Sequence, residues 1–109
     1  MAKERQPSRA VKQVLQRALN KLRVCGWIQG RSGSQWSGYC LLGAIHASVF
    51  SDSNQSKLAQ THTYHQVMRV LGFSTDVDCV RYNDAPERKR GEVFKLLRDA
   101  IKRGKKRKA

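Results

Sequence analysis

The most apolar stretch of this chain is Cys40-Leu41-Leu42-Gly43-Ala44-Ile45-His46-Ala47-Ser48-Val49-Phe50. As a helix it would carry apolar residues on nearly every face, which is typical of an element in the centre of a small domain. We therefore expect a central buried helix, crossed closely by a neighbour at Gly43 and Ala47, where the side chains are small. A buried strand has a similar composition and is the alternative, because periodicity alone does not separate the two.

Three other stretches have the spacing of amphipathic helices. The first starts after Ser8, a residue type that caps helices, and stops before Gly26. The second extends from about Lys57 to Leu71, and the third begins after Pro86 and ends at Gly104. The apolar stripe of the first consists of Val11, Val14, Leu15, Ala18, Leu19 and Leu22. The stripe of the third consists of Val93, Phe94, Leu97, Ala100 and Ile101.

Residues 27–39 contain three glycines and three serines among three aromatic residues. This composition is typical of an ordered loop or a short hairpin. Near residue 75, Thr75 or Asp76 is expected to cap a short turn through Val77, Val80 and Tyr82, with a strand as the alternative. Together these patterns predict a mainly α fold, a compact bundle of about four helices with a Gly/Ser/aromatic loop or short hairpin after the first helix.

The domain organisation follows from where the apolar patterns begin and end. Residues 8–103 are expected to form a single helical domain, since 109 residues suffice for one compact core. Residues 1–7 are expected to be a flexible basic N-terminus, and residues 104–109 a disordered basic tail that is too charged to fold alone. No apolar run approaches the length of a membrane span or a secretory signal, so we expect a cytoplasmic protein without a membrane partner.

Positive charge is concentrated at the two ends of the sequence. The formal net charge is +14, and residues 32–80 hold only two basic residues against three acidic ones. Such ends favour polyanionic partners, and nucleic acid, either DNA or RNA, is the leading prediction. Trp36 and Tyr39 are candidates to stack on unpaired bases. The predicted nucleic-acid contacts are Arg9, Lys12, Arg17, Arg31, Arg88, Lys89, Arg90, Lys102, Arg103, Lys105, Lys106, Arg107 and Lys108.

Two other interpretations of the basic ends remain open. They are a solvated charged face with a solubilising tail, or a surface by which a phage accessory or anti-defence protein grips an acidic host protein. Neither the base preference nor the oligomeric state follows from the sequence. No cofactor motif is present, and His62 and His65 lack a convincing third ligand, so we expect neither a cofactor nor a metal ion.

The cysteines support a different hypothesis, that of a cysteine-dependent enzyme. Cys25, Cys40 and Cys79 are odd in number and lack a Cys-x-x-Cys pair, so reduced thiols are expected. Cys40 is placed at a helix N-terminus, where the dipole favours a thiolate. Gln29 would then donate to an oxyanion, with His62 or His65 as base, in the order of a papain-like enzyme. A small core residue is the favoured interpretation of Cys40, because free cysteine is often buried.

Asn83 and Asp84 precede Pro86 and have two interpretations. Asn83 would orient the base of the cysteine site, and Asp84 would supply acid, base or metal chemistry. Asx side chains ahead of a helix more often cap its backbone amides, and this is the interpretation that we favour for both residues. An ion pair between Asp84 and Arg88 would serve the same structural purpose as capping.

Three segments carry a resemblance to a known family. They are Gly26-Trp27-Ile28-Gln29-Gly30, Gly38-Tyr39-Cys40-Leu41-Leu42-Gly43-Ala44-Ile45 and Tyr82-Asn83-Asp84-Ala85-Pro86-Glu87-Arg88. Their order resembles an uncharacterised family of small bacterial and phage domains with the pattern Gly-Trp-x-Gln-Gly, Cys-x-Leu-Gly-Ala and Trp-Asn-Asp-x-x-x-Arg. Tyr82 replaces the usual Trp, and the basic tail lies outside the pattern. The resemblance implies a compact helical fold and a cluster formed by Gln29, Cys40, Asn83 and Asp84.

Overall fold

The computed structural model describes residues 8–51 and 54–103. Within these residues the chain forms five α-helices and one two-stranded antiparallel hairpin. The helices are α1 (Arg9–Cys25), α2 (Leu41–Phe50), α3 (Lys57–Leu71), α4 (Asp76–Asp84) and α5 (Arg90–Arg103), and the hairpin strands are β1 (Gly33–Ser34) and β2 (Gly38–Tyr39). The predicted mainly helical bundle with a hairpin after the first helix is confirmed. The predictions for residues 1–7 and 104–109 lie outside the described residues.

Helix α1 follows the sequence pattern closely. The Ser8 hydroxyl accepts a hydrogen bond from the Val11 N–H at 3.2 Å and caps the helix. Gly26, with a φ of 102°, ends it in a conformation that favours glycine. All six residues of the predicted apolar stripe are buried, and α1 packs against α2, α3 and α5. The first helix therefore forms one wall of the core.

Cys40 caps the start of helix α2, since its sulfur accepts a hydrogen bond from the Gly43 N–H at 3.2 Å. The helix, and not the alternative strand, is therefore confirmed. A neighbour does approach Gly43 closely, but it is the backbone of the loop at Ser32, which lies where a side chain on Gly43 would be. The expectation of burial on nearly every face is wrong for one side. There His46 is exposed, and Leu42, Ala47 and Phe50 are only partly buried, because this side of α2 borders an open depression.

Helix α3 has the predicted bounds, but α4 corrects the prediction near residue 75. Gly72 ends α3 in the left-handed conformation, with a φ of 91°. The turn or strand expected next is a regular helix, since Thr75 and Asp78 form a reciprocal capping box in which each side chain accepts from the backbone N–H of the other. Only Cys79 and Asn83 of α4 are buried, so this helix lies at the edge of the core.

Helix α5 begins at Arg90, four residues after Pro86, so Glu87 lies outside it. Val93, Leu97 and Ala100 are buried, and Phe94 and Ile101 pack against the core as predicted. The core therefore consists of one face from each of α1, α2, α3 and α5, closed at one end by Cys79 of α4.

Candidate functional site

A buried asparagine connects three segments that are distant in sequence. Asn83, at the end of α4, has no exposed surface. Its side-chain oxygen accepts hydrogen bonds from the Trp27 indole at 2.6 Å and from the Leu41 N–H at 2.9 Å. Its side-chain nitrogen donates to the Ile28 carbonyl at 3.1 Å and to the Asp84 carboxylate at 2.9 Å. Asn83 therefore caps the first turn of α2, and the prediction that it caps the following helix is wrong.

Gln29 and Asp84 complete this junction between the loop and α4. The Gln29 amide donates to the carbonyls of Asn83 and Ala85, both at 2.9 Å. The Asp84 carboxylate accepts from the Gly30 N–H at 3.0 Å, so it too bonds to the loop and does not cap the next helix. The expected ion pair between Asp84 and Arg88 is absent from the described residues, because Arg88 pairs with Glu92 at 3.2 Å. The side chains of Gln29, Asn83 and Asp84 are thus all tied to partners within the protein.

Cys40 lies beside this junction, next to Leu41, whose N–H bonds to Asn83. The structure therefore brings together the four residues Gln29, Cys40, Asn83 and Asp84. The Cys40 side chain is 5% exposed, and its sulfur is occupied by the Gly43 N–H. Within the described residues no hydrogen bond joins Cys40 to His62 or His65, which are exposed on α3. This arrangement is that of a structural cap.

Cys79 is the most deeply buried thiol of the core, with no exposed surface. Burial, together with the neighbouring Cys40 thiol and Asp76 carboxylate, raises its pKa to about 12. Burial and a hydrogen bond to Asp76 likewise raise the pKa of Tyr64. Both groups are therefore held in their neutral forms at neutral pH.

This burial predicts a loss of stability at alkaline pH. In the unfolded chain the Cys79 thiol ionises near pH 9, whereas in the folded protein it keeps its proton until about pH 12. Stability from this group is thus complete below pH 9 and is lost as the pH rises through this window, by about 1.4 kcal/mol between pH 8 and 10. Urea unfolding at the two pH values measures the loss. It should be smaller in Cys79→Ala than in Cys25→Ala, and equal losses would contradict the prediction.

The basic side chains divide into those with internal partners and those without. Arg88 lies 3.8 Å from the centre of the Tyr82 ring, and its guanidinium also donates to the Tyr82 carbonyl at 2.8 Å. Arg103 donates to the Val70 carbonyl at 2.8 Å, and the Arg90 guanidinium lies 5.7 Å from the centre of the Phe94 ring. Among the described residues, no side-chain hydrogen bond, ion pair or ring contact is made by the remaining predicted contacts Arg9, Lys12, Arg17, Arg31, Lys89 and Lys102. Lys105, Lys106, Arg107 and Lys108 lie outside those residues.

The basic residues of α1 occupy two opposite flanks of the helix. Arg17 and Lys21 lie one turn apart on the flank toward α2, where they border two depressions. Arg9, Lys12 and Arg23 lie on the other side of the buried stripe, since each residue turns the helix by about 100°. Helix α1 does lie beside α5, as a continuous basic surface requires.

The larger of the two depressions is an open cleft of about 610 Å³ between α1, the hairpin and α2. Tyr39, His46 and Phe50 line it together with Lys21, and Tyr39 was singled out from the sequence. Trp36, the other predicted stacking residue, is 86% exposed near the turn of the hairpin and is not among the lining residues. Lys21, His46 and Phe50 were not predicted from the sequence as site residues. The one-turn spacing between Arg17 and Lys21 is the signal that could have placed Lys21 on this flank.

Comparison with known protein families gives a match over most of the chain. A family model matches residues 6–103, which include the junction and the cleft. The chain belongs to the family of unknown function DUF6197. Membership of DUF6197 confirms the resemblance to an uncharacterised domain family, whereas a phage origin remains a prediction. No curated protein and no solved structure gives a significant match.

The described residues lack two features that membrane and metal binding would use. None of their helices combines the length and the apolar character that a bilayer span requires. No three histidine, cysteine or acidic side chains of the same residues come together as a group that could hold a metal ion.

Proposed function

We propose that this protein binds nucleic acid, DNA or RNA, through cationic side chains on α1 and α5 and through the basic tail. The observation that carries the proposal is the composition of α1, which has five basic residues and no acidic one. Among the described residues none of these five forms an ion pair. The helix therefore presents positive charge that the fold itself does not neutralise.

The acidic residues elsewhere do not compensate for this charge, because most of them have local structural partners. Asp76 accepts from the Tyr64 hydroxyl, Asp78 from the Thr75 N–H, and Asp84 from the Gly30 N–H. Glu92 and Asp99 pair with basic residues one helical turn away. The Lys89 backbone N–H and the Arg88 guanidinium lower the pKa of Glu92, and Lys95 lowers the pKa of Asp99. The excess of positive charge thus remains available to an external polyanion.

Phosphates are the polyanion that this surface suits best. Cations spread over two neighbouring helices, with more of them in the tail, resemble the sequence-independent surfaces that contact several phosphates at once. Binding by such a surface releases condensed counterions, so its affinity falls steeply as salt rises. An acidic host protein is the second candidate partner for the same surface. Pull-downs with and without nuclease distinguish the two partners, because a direct protein contact survives digestion of the nucleic acid.

The first test removes two cations of α1, the exposed Arg9 and the partly exposed Lys12. In the double variant R9Q/K12Q, the slope of log K against log salt for a short duplex should become shallower by about 1.8 if each residue contacts one phosphate. Affinity in dilute buffer should fall about tenfold or more for the same reason. Fluorescence anisotropy with a labelled duplex over a range of salt concentrations measures both quantities.

The matched control is K57Q/R69Q, which removes the same charge from exposed positions of α3. Its slope of log K against log salt should stay close to that of the unmodified protein. Equal effects of the two double variants would mean that only net charge matters and would contradict a surface on α1. Truncation after Gly104 removes four more basic residues and should flatten the slope further.

A further inference from the structure

The cleft between the hairpin and α2 has the size and lining of a binding site for a flat aromatic group. Its volume of about 610 Å³ lies within the usual range of small-ligand sites. Three ring side chains, Tyr39, His46 and Phe50, line it, and Leu42 and Ala47 add apolar surface between them. Aromatic side chains of this kind provide the faces on which planar rings stack.

The walls of the cleft are held in place by the fold. The Tyr39 N–H donates to the Gly26 carbonyl at 2.8 Å, and the Tyr39 carbonyl accepts from the Ile28 N–H at 3.0 Å. On the other wall, the rings of His46 and Phe50 lie 5.1 Å and 5.8 Å from the ring of Tyr64. A bound ring would therefore meet surfaces that need little ordering, which lowers the entropic cost of binding.

The charge around the cleft favours a group that carries phosphate. Lys21 lines it, and no acidic residue is among its described lining residues. Arg17 lies one turn before Lys21 on the same flank of α1, beyond the edge of the cleft. On the hairpin side, the exposed Arg31 directly precedes Ser32, another lining residue. Positive charge thus continues from the cleft in both directions along the surface.

We propose that this cleft binds an unpaired base of a single-stranded nucleic acid, with the adjoining phosphates on Lys21 and Arg17. This inference rests on the proposed function and specifies it, because a base in a duplex has its faces covered by its neighbours and offers only its edges. Stacking platforms combined with a cationic track are the usual means of binding single strands. Arg17 and Arg31 extend the positive charge beyond the cleft. This arrangement favours a strand with several phosphates over a free nucleotide, which needs only one phosphate contact.

The test compares a labelled oligothymidine with a duplex of the same length by fluorescence anisotropy. Tyr39→Leu should lower single-strand affinity about tenfold, while Tyr39→Phe, which keeps the ring, should retain it. Ala47→Leu fills the cleft and should cause a similar loss, whereas Ala59→Leu makes the same change at an exposed position of α3 and should not. Duplex affinity should stay within about twofold in all four variants, which also shows that they fold.

The possible results separate this inference from the proposed function. Unchanged single-strand affinity in both Tyr39→Leu and Ala47→Leu overturns the cleft as a site, while weaker binding by R9Q/K12Q would leave the proposed function intact. If R9Q/K12Q binds strand and duplex as the unmodified protein does, the proposed function fails. Thymidine monophosphate should bind far more weakly than the strand, and equal affinity for the two would overturn the assignment to a strand.

Discussion

Asn83→Ala should lower the free energy of unfolding by about 3–5 kcal/mol. The substitution removes one side chain that bonds to four groups, and it leaves the Trp27 indole N–H, the Leu41 N–H and the Ile28 carbonyl without that partner. Each buried polar group that loses its partner costs about 1–3 kcal/mol, since water does not replace the lost bond. Urea denaturation followed by circular dichroism measures the change.

Asn20→Ala is the control for this prediction. Asn20 is exposed on α1, and within the described part of the chain its side chain bonds only to that of Gln16, at 3.4 Å. Its loss should therefore change stability by less than about 0.5 kcal/mol. A comparable small effect of Asn83→Ala would show that the junction contributes little to stability. It would also show that the loop and α4 associate for other reasons.

Gly43→Ala should destabilise the fold by about 1–3 kcal/mol, although alanine is the better helix former. A Cβ atom at Gly43 would lie 2.3 Å from the Ser32 carbonyl oxygen. The atoms that it would meet belong to the backbone of the loop, not to a flexible side chain. The Ser32 carbonyl also accepts a hydrogen bond from the Cys40 N–H at 3.1 Å, so moving the loop away would break that bond. Thermal unfolding of the variant measures the loss.

Gly91→Ala makes the same change in the first turn of α5 and predicts the opposite sign. Nothing lies within 4 Å of a Cβ atom built there, so the gain in helix propensity is not offset by a clash. Stability should rise by about 0.5–1 kcal/mol. Stabilisation by both substitutions would mean that the loop yields easily at Ser32, and the close approach at Gly43 would then have no structural role.

The parts of the fold that could be predicted from sequence are those with local signals. Helices α1 and α3 begin at serine caps and end at glycines with positive φ, and the stripe of α1 repeats at helical spacing. Helix α4 has no such stripe, since only Cys79 and Asn83 are buried, so a turn or strand was equally consistent with its sequence. The capping box formed by Thr75 and Asp78 stabilises the first turn of this segment as a helix.

The site was less predictable, because its contacts join distant residues. The pattern before Pro86 indicated that Asn83 and Asp84 bond to backbone amides, but the amides belong to Leu41 and Gly30, not to the next helix. The cleft depends on which flank of α1 faces α2, and only the packing of the helices determines that. Basic composition was visible from the start, whereas the pairing of Arg88 with Glu92 depends on the geometry of α5.

The bonds of Asn83 also constrain the order of folding. Its partners Leu41 and Trp27 precede it by 42 and 56 residues. The Leu41 N–H and the Trp27 indole N–H therefore lack this acceptor until α4 has formed and docked. Closing loops of this length is entropically costly and slows folding relative to a bundle with only local contacts. The amino-terminal half is therefore incomplete as a folding unit, and unfolding should be a single cooperative transition that includes both α1 and α5.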